Sequence, residues 1–390
     1  MNKKLIAVAV AGLFAAPAVA LAQSSVTISG LLKGGYETLK YGNYNPGNAR
    51  GAAAGNSSQN GVVDDSSRII FNVTEDLGGG MAAIGQVDMR IKPDDQQGAA
   101  STASTPTTGN TFFGLRSTQW GTVSFGRRDL HYFNRESNLT DKASLRADSI
   151  SLLAYAGRGG SAIAGATRTQ NVVHYLSPNW SGFTFILAYT SNASATDADI
   201  ASNVSRGSGW NFNPNYQAAN WQVGYSYWES KPDATVSTLT NFLGKQRSDR
   251  LYGSYVFPFG LKLGLAWDKS RIKAVNSPTV SGDLSKRDVW SIPVSYTWGN
   301  HSVHFHYDQA NDDKAIADTA AGNQKAKMWA IAYAYDLSKR TSAALTYAQI
   351  KNNGDAAYNF FTSGSLGIGN SGPVVGEDPK MWGVTLRHAF

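Results

Sequence analysis

In segment after segment of this chain, apolar side chains recur at every second position. Leu261, Leu263, Leu265 and Trp267 alternate with Lys262, Gly264, Ala266 and Asp268, and Trp329, Ile331, Tyr333 and Tyr335 with Ala330, Ala332, Ala334 and Asp336. Phe183, Phe185, Leu187 and Tyr189, then Trp221, Val223, Tyr225 and Tyr227, then Val303, Phe305 and Tyr307 repeat the rhythm. A period of two sends alternate side chains to opposite faces of a β-sheet, so each segment predicts a strand with one greasy face. The other face is rich in Gly, Ala and Ser, which suits a crowded, wet interior. Aromatics mark the strand ends on the greasy face (Tyr189, Trp267, Trp298, Trp382), as in the girdles that anchor a barrel at headgroup level.

The connections alternate in length. Short ones fall at 77–80, 120–121, 178–182, 218–220, 258–260, 299–300 and 338–340; long polar ones fall at 41–66, 93–109, 129–167, 192–208, 229–247, 273–286, 311–326 and 353–378. Seven turns and eight loops separate sixteen strands. The expected fold is therefore all-β: a 16-stranded antiparallel transmembrane β-barrel with short periplasmic turns and long extracellular loops, wide enough for an aqueous channel. Pro214 and Pro293 fall inside expected strands, where a paired backbone tolerates them poorly, so fourteen or eighteen strands stay open.

The chain opens with Lys3 and Lys4, an apolar run from Leu5 to Ala16, and Ala20-Leu21-Ala22 before Gln23. That layout predicts a cleaved signal peptide over residues 1–22, leaving 23–390 as one barrel domain. Without those two lysines the formal charge falls from +7 to +5, and the basic residues are scattered, which argues against a nucleic-acid partner. There is no cysteine, hence no disulfide, Cys-based zinc site or thiol catalysis. His304 and His306 share a strand face with Asp308, a spacing open to a metal, although polar lumen lining is the plainer reading. Gly367-Ile368-Gly369-Asn370-Ser371-Gly372 has dinucleotide-loop spacing, but Pro373 follows and no helix does. No cofactor, metal site or catalytic set is expected.

The stretch Ser67–Gly80 (SRIIFNVTEDLGGG) resembles a segment of the betaproteobacterial general porins. So do Gly121–Arg127, Asn171–Pro178 followed by Ser181-Gly182-Phe183, and the ending Gly383–Phe390, in the family's order along the chain. The resemblance implies an outer-membrane homotrimer of 16-stranded barrels passing ions and small hydrophilic solutes by passive diffusion. It also implies a third long loop, here 129–167, folded inward to narrow the pore. Trp382, Val384, Leu386 and the terminal Phe390 look like the strand that the family's barrel-assembly machinery recognises. Two departures matter: Asn72 stands where the family often has Lys, and the inward loop carries its own Arg135, Arg146 and Arg158.

Strand parity supplies the candidate site. If Ile69, Phe71 and Val73 face lipid, Arg68 faces the lumen, and by the same count so do Arg90, Arg116, Arg128 and Arg168, with Asp88 beside Arg90. Placing an arginine on the lipid face instead would cost about 2–4 kcal/mol at midplane. Glu136, Asp141 and Asp148 on the inward loop are the expected acids across the constriction, and a weak anion preference is the expected result. Two rival classes carry the same strands. A lipase-like barrel needs a polar catalytic set on the apolar face, which is not found, and a receptor or adhesin with a plugged barrel would conduct nothing.

Overall fold

The computed structural model describes residues 24–42, 58–94, 107–133, 141–153, 163, 166–193, 207–231, 243–274, 282–315, 324–361, 373 and 375–390. Seventeen strand segments join in one antiparallel sheet that closes on itself. The first half runs β1 (Ser25–Gly42), β2 (Ser58–Asp64), β3 (Arg68–Gly78), β4 (Met81–Arg90), β5 (Thr111–Ser117), β6 (Gly121–Asp129), β7 (Arg168–Leu176) and β8 (Phe183–Thr190). The second half runs β9 (Ser208–Gln217), β10 (Trp221–Lys231), β11 (Leu243–Val256), β12 (Leu261–Ala274), β13 (Asp283–Trp298), β14 (His301–Ala310), β15 (Ala326–Asp336), β16 (Thr341–Asn352) and β17 (Asp378–Ala389).

β2 and β3 form one stave in two pieces. β2 pairs with Gly34–Lys40 of β1, and β3 pairs with Ser25–Leu31 of the same strand. Counted this way the barrel has the sixteen strands expected, and part of the expected 41–66 loop belongs to the sheet as β2. The break at Asp65–Ser67, with Ser66 at φ 81°, shifts the face parity by one, so that Val62 before it and Val73 after it both point outward.

The two faces differ as the alternation requires. Phe113, Leu115, Leu251, Leu265, Trp267, Leu345, Val384 and Leu386 are exposed on the outside. An apolar surface of that extent is unsuited to water and suits hydrocarbon. The inner face holds Ala330, Ala332, Ala334 and Ala348, all buried, so the wall leaves room for something seated against it.

Both prolines lie within strands, each beside a local gap in the ladder. Pro214 stays in register with Phe185 of β8, while the β9–β10 register skips from Asn215 to Phe212. Pro293 stays opposite His306 of β14 and packs over Gly264, where an added Cβ would come within 2.7 Å of its Cγ. A ring that cannot donate is accommodated because the strand across from it gives up volume.

Closure rests on β1 and β17, which pair from Leu31↔Ala389 to Gly42↔Asp378. At the lower end the Gly30 N–H donates to the Phe390 carbonyl (2.9 Å) and the Phe390 N–H to the Gly30 carbonyl (3.1 Å). The Phe390 ring covers Gly30, and a Cβ there would stand 2.2 Å from Phe390 Cζ. Gly35 is tighter still, since a Cβ would lie 1.7 Å from the Val384 carbonyl oxygen. Backbone cannot step aside as a side chain does, so Gly35→Ala should destabilise the barrel by about 1–3 kcal/mol or more. The measurement is the temperature at which the compact folded band is lost on a denaturing gel, expected to fall well below that of the unsubstituted protein.

Candidate functional site

The described parts of the connection from β6 to β7 pack against the inner wall of the barrel. Leu130 and a 3-10 turn at His131–Phe133 leave β6, and the segment 141–149, with a second 3-10 turn at Leu145–Ala147, leads into a short helix, α1 (Ile150–Leu153). Leu130, Tyr132, Ile150, Leu152 and Leu153 are buried in one cluster with Trp228, Met328, Ala330, Ala348 and Ile350 of the inner wall. The small inner-face residues thus provide the space that this loop fills.

Polar groups then fix the loop at many points. The Arg287 guanidinium on β13 donates to the Leu152 and Leu153 carbonyls (both 2.9 Å) and to Tyr358 Oη (3.0 Å), satisfying the end of α1. Arg250 on β11 donates to the Tyr132 carbonyl (3.3 Å). On the opposite wall, Arg146 Nε meets Glu37 Oε2 at 2.6 Å with both side chains buried, and the Leu145 N–H donates to the Asp65 carboxylate (2.9 Å). Asp65 in turn pairs with the buried Lys33 at 3.0 Å. His131 and Tyr132 sit in the same packed region; burial pulls the His131 imidazole down and pushes the Tyr132 phenol up, so both are uncharged at neutral pH. The His131 Nε2 to Asp268 Oδ2 approach of 3.7 Å is therefore not an ion pair.

What the loop leaves open is a cavity of about 350 Å³. Arg68, Arg90, Lys92 and Arg168 line it together with Asp64, Asp129 and Asp148, and Phe133, Leu145 and Phe361 close its apolar side. The order of charges in the wall is uneven. Asp88 is 1 % exposed and lies behind Arg90 (3.1 Å) and Arg68 (3.9 Å), whereas the Arg68 side chain is 30 % exposed. Arg168 Nε pairs with Asp129 Oδ1 at 2.7 Å, and Asn110 donates to the other carboxylate oxygen at 2.7 Å. Asp148 comes from the loop side, and its burial holds the carboxyl above the usual range. A solute entering this space meets guanidinium groups before it meets Asp88.

The sequence-derived candidates fall in several places. Arg68, Arg90, Arg168 and Asp148 line the cavity, and Asp88 backs it. Arg128 stacks its guanidinium on Phe112, 3.9 Å from the ring centroid. Arg116 lies opposite Ala82 and Thr122 at the short-turn end of the barrel. Asp141 pairs with Arg387 at 2.7 Å. Glu136, Arg135, Arg158, the signal-peptide segment and the Gly367–Gly372 motif lie outside the described residues. His306 is turned to the loop, with Nε2 on the Ala147 carbonyl and Nδ1 2.6 Å from Asp308, while His304 contacts Ser302 at 3.0 Å. Among the described residues no three potential ligands gather as a metal would need.

Sequence reasoning missed Lys92, Asp64 and Asp129 at the cavity and the Glu37–Arg146 and Lys33–Asp65 pairs that hold the loop. The signal for the pairs was present in β1. Lys33 and Glu37 share parity with Leu39 and Tyr41, opposite to the exposed Leu32 and Tyr36, so they had to point inward.

A sequence model of the Gram-negative porin family matches residues 7–355. An outer membrane porin protein of Bordetella pertussis is 27% identical over 399 residues, covering 90% of this chain and 95% of that one. Among solved structures, the anion-selective porin from Comamonas acidovorans superposes with a TM-score of 0.73 at 24% identity, over 94% of this chain and 100% of that one. The trimer form of OmpT from Vibrio cholerae matches with a TM-score of 0.60 at 12% identity, over 94% and 99%.

Removing one partner of a buried ion pair strands the other charge, at about 3–5 kcal/mol. Arg146→Met should therefore lower the melting temperature and make single-channel current noisy as the loop loosens. The double substitution Glu37→Leu with Arg146→Met should recover most of the lost stability, and thermal unfolding of the three variants measures the difference.

Proposed function

The chain belongs to the Gram-negative porin family, outer-membrane barrels through which ions and small hydrophilic solutes diffuse, and on that premise we propose that its channel is weakly anion-preferring. The observation that carries this reading is the order of charge at the cavity: Arg68 and Arg90 stand toward the open space and the buried Asp88 stands behind them. At physiological salt, screening sets in over about 8 Å, so the arrangement acts on solutes that pass close to these side chains. Asp148 on the loop side completes a transverse field that orients dipolar solutes and disfavours apolar ones, which lose hydration without gaining a partner. The likeness to the anion-selective porin from Comamonas acidovorans supports the same sign.

The reading extends to the rest of the molecule. Residues 1–22 act as a cleaved signal peptide and 23–390 as the barrel. The mature chain assembles as a homotrimer, as in the trimer form of the Vibrio cholerae neighbour. Trp382, Val384, Leu386 and Phe390, at alternate positions with exposed side chains, present the terminal strand to the barrel-assembly machinery. No catalytic step and no cofactor belong to this reading; transport is driven by the solute gradient alone.

In planar bilayers under a salt gradient, the reversal potential should carry the sign of anion preference. Arg68→Gln combined with Arg90→Gln and Arg168→Gln should shift it toward neutrality or past it, and cation preference in the unsubstituted channel would sink the proposal. Acidification should act in the same direction as the native charge order. Since burial raises the Asp148 carboxyl, it takes up a proton as pH falls before ordinary surface carboxylates do, and the cavity loses a negative charge. Anion preference should rise as pH is lowered through that raised value, and Asp148→Asn should abolish the step.

A further inference from the structure

Each carboxylate around the cavity already has its donor. Asp64 accepts from the Ser66 and Ser67 N–H groups (3.1 and 3.0 Å), and Asp148 from the Ile150 N–H (3.0 Å). Asp129 is held by Arg168 and Asn110, both at 2.7 Å. Two of the cations are likewise engaged: Arg90 reaches Asp88 at 3.1 Å and donates to the Ser66 hydroxyl, and Lys92 has a partner of its own. Arg68 differs. Among the described residues its one carboxylate neighbour is that same Asp88 oxygen, at 3.9 Å, beyond hydrogen-bond reach, and the side chain is 30 % exposed at the cavity. A guanidinium carries its N–H donors in a fixed fork that fits a carboxylate, so the wall offers one open fork.

The same space has an apolar lining drawn from two separate loops. Phe133 of the inward loop and Phe361 of the last long loop meet edge to face, with ring centroids 5.9 Å apart, and Leu145 joins them. Both rings are only partly buried. Phe361 is fastened in place: its N–H donates to Ser151 Oγ (2.8 Å), and Tyr358, three residues earlier, accepts from Arg287 (3.0 Å). The Arg168 guanidinium lies over the Phe133 ring, 5.3 Å from its centroid, so the polar and apolar linings abut. A small hydrated ion gains nothing from rings at this place, whereas a solute with an apolar body is partly desolvated against them. The volume of about 350 Å³ falls within the range of small-molecule sites, roughly 300–1,000 Å³.

We propose that this cavity is a saturable site for aryl monocarboxylates, with the carboxylate in the Arg68 fork and the ring against Phe133 and Phe361. Such a site rests on the anion-preferring channel and adds the class of organic anion that the channel favours. A second carboxylate on the same solute finds no open donor, so dianions are held less well. A neutral arene leaves Arg68 unpaired, and acetate leaves the rings uncovered.

The test places the full folded chain in planar bilayers in potassium chloride and titrates it with benzoate, acetate, terephthalate or benzamide, reading the block of the chloride current. Benzoate should block at concentrations about tenfold lower than acetate or terephthalate, and benzamide should not block. Arg68→Gln should raise the half-blocking benzoate concentration about tenfold. Phe361→Ala should cut the advantage of benzoate over acetate to about threefold or less, while Phe361→Leu, which restores apolar volume, should keep most of it. Both variants are first shown to give the compact folded band on a gel. Equal block by benzoate and acetate overturns the proposal, as does tighter block by terephthalate, block by benzamide, or an unchanged ratio in Phe361→Ala. It falls equally if Phe361→Leu is no better than the alanine variant, since that marks a general disturbance of the last loop. The reversal potential in a potassium chloride gradient is recorded in the same membranes. Anion preference without selective benzoate block refutes this site alone, whereas cation preference refutes the channel reading beneath it.

Discussion

In hydrocarbon no water is at hand to satisfy a backbone N–H or carbonyl, and each one left open costs several kcal/mol. A sheet meets that condition only by having no edges. Here the last edges are removed by the pairing of β1 with β17, and the chain spends small residues to make it possible: Gly35 lies against the Val384 carbonyl, and Gly30 lies under the Phe390 ring. The two-faced character of every strand follows from this closure, because a closed sheet has an inside and an outside, and side chains alternate between them.

The interior is filled unequally. Alanines on the β15 and β16 wall receive the loop between β6 and β7, while the β3, β4 and β7 wall keeps arginines with room in front of them. Buried charge is costly unless paired, and the loop's Arg146 pairs with Glu37 of the barrel while its Leu145 N–H donates to Asp65, itself held by Lys33. These contacts fix position as well as stability, since they are satisfied at one placement of the loop. The positive wall and the loop acid Asp148 consequently face a common space of fixed shape.

Much of this was legible in the sequence because alternation is a local signal. The strand faces, the seven short turns and the inward direction of Arg68, Arg90 and Arg168 all follow from counting by twos. Counting fails where the backbone changes phase. The break at Asp65–Ser67 hid β2 within an apparent loop. Parity also says nothing about height, which is why Arg116 was grouped with residues at the other end of the same wall. The acids were least legible, since both lie on a loop: Asp141 is placed by Arg387, far away in the chain, and Asp148 accepts from the Ile150 N–H at the start of α1.

The irregular stave made of β2 and β3 has a mechanical meaning. By leaving the ladder at Asp65–Ser67, the wall turns a carboxylate toward the Leu145 amide and places Asp64 at the rim, so the wall and the loop are joined at the aperture itself. Joined in this way, the opening is held against its frame. Its throughput is then a matter of how far individual rim side chains reach, and permeability can drift over evolutionary time by single substitutions at the rim while the sixteen-stave frame stays as it is.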